Sequence, residues 1–187
     1  MKTLRNLIVI VLASFVSVAM YAQDNNTASH AVTTEFNDVT ILDIEVDGGN
    51  QDISLEADMS NFEAGAEVEN KAYAENTDIW INWTVFAPEQ GGKYEVLVES
   101  DKSMNAGWGL DLSVNDFNTR EGGGNSAGTV ELSRDAQRIL RSIDEVAWSG
   151  DGARKGANIK YELMLRDATA IRNAGETVTV TYTIAKQ

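Results

Sequence analysis

Indole rings and side-chain carboxylates are the groups in this chain best suited to chemistry, and each points to a different kind. Trp80, Trp108 and Trp148 suggest ligand binding, because an exposed indole stacks on the apolar face of a sugar ring. Trp80 leads the set, since it stands opposite the expected core face of its strand. Trp108 and Trp148 sit at strand ends beside loops. Trp83 is expected in the core, and core filling is the competing explanation for all four tryptophans. Asp47, Asp52 and Asp151 lie in acidic, glycine-bearing loops and offer oxygen ligands to calcium, although plain turn chemistry accounts for the same residues.

Material for catalysis is scarce. The single histidine, His30, falls near the N-terminus, so a hydroxyl-imidazole-carboxylate relay or an imidazole-bound metal would need that segment to fold back into a site. The pairs Asp43/Glu45, Asp52/Asp58 and Glu95/Glu99 fall on the polar faces of alternating segments, where solvated carboxylates are the norm. Gly91-Gly92-Lys93 runs into Tyr94, and Gly122-Gly123-Gly124 precedes a strand. A phosphate cradle needs a glycine loop followed by Lys-Ser/Thr and a helix, and neither segment provides it. The expectation is a protein that is not an enzyme.

The chain opens with Lys2 and Arg5, continues through an apolar run from Leu7 to Met20, and turns polar after Tyr21-Ala22-Gln23, the three parts of a secretory signal peptide. Residues 1–22 are therefore read as a signal, 23–37 as a flexible leader and 38–187 as one domain. The apolar run is short for a membrane span, so no membrane insertion is expected after cleavage, and the product is exported to the periplasm, the cell surface or the extracellular medium. Without the signal the balance is 13 basic against 29 acidic residues, or −16, which repels nucleic acid. The chain contains no cysteine, which excludes disulfides, thiolate metal sites and a lipidated thiol. Its stability must come from packing.

Period-2 alternation recurs along the rest of the chain. It predicts strands over 39–46, 51–59, 77–86, 94–100, 108–114, 129–133, 159–165 and the closing Thr-Val-Thr-Tyr-Thr-Ile run, with a shorter strand over 68–74. Segments 77–86 and 94–100 read as a hairpin, and 121–128 as a flexible glycine crossover. One helical spacing appears: Ser133 as cap, then Ala136, Ile139, Leu140 and Ile143. Together these predict an all-β, antiparallel, immunoglobulin-like β-sandwich with one short helix, with a closed barrel as the alternative. Residues 27–36 also alternate weakly, and an extended leader of that kind can add to an open sheet edge.

Several segments carry a resemblance: Asn76-Thr-Asp-Ile-Trp-Ile-Asn-Trp83, Val130-Glu-Leu-Ser133 before 137–143, Trp148-Ser-Gly-Asp-Gly152, Ile159-Lys-Tyr161 and the closing strand. In this order they resemble an uncharacterised family of small exported Gram-negative bacterial proteins with a fimbrial or spore-coat-U-like β-sandwich. The resemblance implies no catalytic residues, and the lack of cysteine departs from coat-type relatives, which often have disulfides. It implies a non-enzymatic structural or surface-interaction protein, a fimbria- or coat-like subunit whose partners are other protein subunits. The tryptophans support the alternative, an extracellular glycan-binding module, calcium-assisted, whose partners are surface glycans.

Overall fold

A computed structural model describes residues 31–35, 37–48, 51–60, 63–88, 91–171 and 175–187. The chain divides into two compact units, Met1–Phe36 and Asn37–Gln187. In the first, residues 31–35 are exposed and carry no strand. The expected signal peptide, His30 and most of the leader lie outside the described residues.

The second unit is all-β. It is organised by β2 (Ala72–Phe86), fifteen residues long, which serves three partners. One edge pairs over its C-terminal half with β1 (Val39–Val46), from Val39 opposite Phe86 to Val46 opposite Ile79. The other edge pairs first with β8 (Gly156–Leu165), up to Ile81 opposite Ala157. It then pairs with β7 (Gln137–Trp148), from Thr84 opposite Trp148 to Phe86 opposite Val146. Two wings grow from this shared strand. One continues from β8 to β4 (Trp108–Asn118) and the short β6 (Val130–Glu131). The other places β7 between β5 (Glu121–Ser126) and β3 (Lys93–Ser100), with β9 (Val180–Lys186) beyond β3. All ladders are antiparallel.

The wings face each other as a sandwich made from one branching sheet. Ile79, Ile81, Trp83 and Val85 of β2 join Leu112, Ile159 and Tyr161 of the first wing and Val96, Val98, Ile139 and Ile143 of the second in one core. The hydroxyls of Tyr161 on β8 and Tyr182 on β9 meet at 2.6 Å, a hydrogen bond that ties wing to wing.

Four expectations are corrected. No helix occurs among the described residues; the segment with helical spacing is β7. Its ladders with β3 and β5 shift register, and Ser142 has φ of 60°, so the strand bulges and buries the neighbours Ile139 and Leu140 together with Ile143. A bulge breaks the period of two and in this strand imitates i, i+3, i+4 spacing. The glycine crossover is the edge strand β5: a Cβ on Gly122, at φ of +77°, would lie 2.3 Å from that of Ala147, so glycine is required for this close approach. Segments β2 and β3 form no hairpin, because β7 lies between them. Residues 51–59 keep their alternation, with Ile53, Leu55, Ala57 and Met59 half-buried, but belong to no ladder.

Candidate functional site

Because β2 is flanked by β1 on one edge and β7 on the other at its C-terminal end, the outward side chains of three strands fall into rows. Ile41, Thr84 and Trp148 occupy one row, and Val39, Phe86 and Val146 the next. Asp43 and Asn82 continue the pattern toward the loop after β7. Ile41, Asp43, Thr84, Phe86, Trp148 and Asp151 line a shallow groove of about 470 Å³. Four large apolar residues of this face remain open to solvent: Ile41 is 56% exposed, Trp148 44%, Phe86 39% and Val39 37%.

The groove's polar end is fixed by the loop that follows β7. Ser149 is fully buried; its amide donates to the Trp83 carbonyl at 3.0 Å, and its hydroxyl accepts from the Trp83 amide at 2.9 Å. The Asn82 amide nitrogen donates to the Gly152 carbonyl at 3.0 Å. Gly156 closes the loop at φ of +75° so near β2 that a Cβ there would lie 1.9 Å from the Ile81 carbonyl oxygen. These contacts fix the loop that carries Asp151, which lines the groove together with Trp148. Two buried polar atoms, Asn82 Oδ1 and Trp83 Nε1, have no hydrogen-bond partner among the described residues, and both residues line the groove. An unpaired buried group costs about 1–3 kcal/mol, a cost that native sheets elsewhere avoid.

The three indoles singled out from sequence are not brought together. Trp80 is 9% exposed and lies outside the main core cluster, opposite Glu45 of β1 and Asn158 of β8. Its face of β2 is covered as well as the core face, because five successive residues from Ile79 to Trp83 are buried. Trp108 is half-buried and stands edge-on to Tyr73, with centroids 6.1 Å apart, while Lys71 lies 5.7 Å from the Tyr73 ring centre. Trp148 alone of the three presents an open ring in a groove. Sequence reasoning missed Ile41, Thr84 and Phe86, although the mixed polarity of both faces of 77–86 was the available signal.

The acidic residues are likewise dispersed. The Asp47 carboxylate accepts from Arg154 Nε at 2.6 Å, and that hydrogen bond holds the guanidinium pKa above its ordinary value. Asp151 lines the groove, and Asp52 lies on the exposed face of 51–59. Among the described residues no group of three or more carboxylates and imidazoles is placed to hold a metal ion. Of the paired carboxylates, Glu95 is engaged by Arg138, and Asp58 is held below its usual pKa by the Ser60 hydroxyl and then the Ser60 amide. Lys93, after the glycine pair, opens a strand and pairs with Asp144.

No family model, curated protein or solved structure matches this chain. The site therefore rests on its own geometry. No helix of the described residues is long and apolar enough to cross a membrane.

Proposed function

We propose that this chain is a non-enzymatic, exported surface-interaction protein that works through the outer face of β1, β2 and β7. The carrying observation is the set of four exposed apolar side chains, Ile41 and Trp148 in one row and Val39 and Phe86 in the next, gathered on one face of a strongly acidic chain. Water-exposed clusters of large apolar groups mark contact surfaces. The support for export is the signal-like N-terminus, and the resemblance to fimbrial and coat-like subunits gives the class of partner, another protein subunit. The test is native mass in extracts of producing cells: Phe86→Glu, which puts a charge in the centre of the face, is expected to release a folded monomer from a larger complex. Unchanged mass would count against this reading.

A second reading, glycan binding, is favoured by one observation: the exposed Trp148 lines the same groove of about 470 Å³ as Asp151 and Thr84. In this reading Trp148 stacks on the sugar and the carboxylate accepts its hydroxyls; Trp80 and Trp108 take no part. Trp148→Ala is expected to abolish binding on a glycan array. Unchanged binding by that variant would remove the reading.

A further inference from the structure

Residues 51–59 form a strand in every respect except pairing. Their side chains alternate without fault, Ile53 and Leu55 pack against the core cluster, and Ala57 and Met59 are half-buried. Among the described residues, the main chain from Ile53 to Met59 makes no hydrogen bond. Side chains alone seat it. Two edge strands border the core on one side of the sandwich. The half-buried Leu42, Ile44 and Val46 of the edge strand β1 and Val180, Tyr182 and Ile184 of the edge strand β9 line it there, and the two strands approach each other without a ladder. At the β1 edge, the Ile44 amide donates to the Asp43 carboxylate at 2.8 Å, and its carbonyl accepts from Gln51 Nε2 at 3.4 Å. Side chains occupy positions that a neighbouring strand would otherwise take.

We propose that residues 51–59 are an exchangeable strand, and that their alternative seat is the same place on a second copy of this chain. Detachment breaks no ladder, so it requires only local opening, which is cheap where main-chain hydrogen bonds are absent. Gly48 in the turn before the segment, at φ of +129°, and the exposed residues 63–70 after it supply the reach. A second copy is the indicated occupant because residues 51–59 are the one sequence whose apolar spacing is shown to fit this seat. An identical chain fits it without any new complementarity. No residue of the segment lines the groove, so the inference is independent of the interaction face.

The test uses a labelled peptide of residues 51–60. In the full chain carrying Leu55→Asp the segment cannot seat, and the peptide is expected to bind this chain at least roughly tenfold more tightly than the unaltered chain, whose seat is filled. The same peptide with the aspartate substitution should bind neither. Absence of binding to a folded Leu55→Asp chain, or equal binding to both chains, overturns the proposal. Should that variant fail to fold, hydrogen exchange on the unaltered chain decides. Amides of Ile53–Met59 are expected to exchange at least roughly a hundredfold faster than those of β1 bonded to β2. Equal protection would show a paired segment and overturn the proposal.

Discussion

At the scale of single residues, the hydroxyl pair Tyr161–Tyr182 is the most consequential polar contact, since it bridges the two wings. Burial pushes the Tyr161 phenol up to about 12, against the opposing effect of its hydrogen bond to Tyr182. Burial likewise raises Tyr182 well above the ordinary value of 10.0, helped by the charge and hydrogen bond of Tyr161. Both shifts are upward, so the stability they contribute is complete below pH ~10 and falls as pH rises toward ~12, where the unfolded chain releases protons that the folded chain keeps. Denaturant unfolding from pH 8 to 12 should show this decline, shallower by about one proton in Tyr161→Phe. At neutral pH that variant should lose about 1–3 kcal/mol, because Tyr182 is left unpaired, and the double phenylalanine variant should lose less than the two singles added together. Which tryptophan is exposed was not legible from spacing. Alternation identifies opposite faces of 77–86 correctly, but the loop after β7 lies over the second face, and a contact between Asn82 and Gly152 is seventy residues distant in sequence.

At the scale of elements, the sequence announced β1 to the residue and the centres of most other strands, because each has one apolar face. Its failures share a cause. β7 is flanked on both edges and bulged, so burial follows its register shifts rather than a period of two. β5 pairs through glycines, which carry no pattern at all. Residues 51–59 have the pattern but no partner, since alternation reports which side chains are buried and says nothing about where main-chain hydrogen bonds go. The bulge in β7 makes its own prediction. Ser142 occupies the left-handed region at φ of 60°, where a residue with a Cβ is strained by about 1–2 kcal/mol. Ser142→Gly is therefore expected to hold or raise stability by up to about 1 kcal/mol, and Ser142→Val to lower it by more than that. Melting temperatures of the two variants check the sign.

At the scale of the whole molecule, a chain with a formal charge of −14 exposes four large apolar side chains on one face. Charge keeps such chains apart and soluble, so an association that succeeds must do so through the apolar face or through a strand that needs no charge. Among the described residues no group of three or more carboxylates is placed to hold a metal ion, and with Asp47 bound to Arg154, about 1 mM calcium is expected to leave the melting temperature unchanged. A rise of several degrees would support the calcium reading. The most direct measurement of the central proposal is oxidative footprinting of Trp148 in native material from the producing cells beside the purified monomer. The account predicts that the ring, 44% exposed in the free chain, is protected roughly fivefold or more in the native material while Trp83 is slow in both. Equal oxidation of Trp148 in the two preparations would mean that nothing covers the β1–β2–β7 face and would contradict the account.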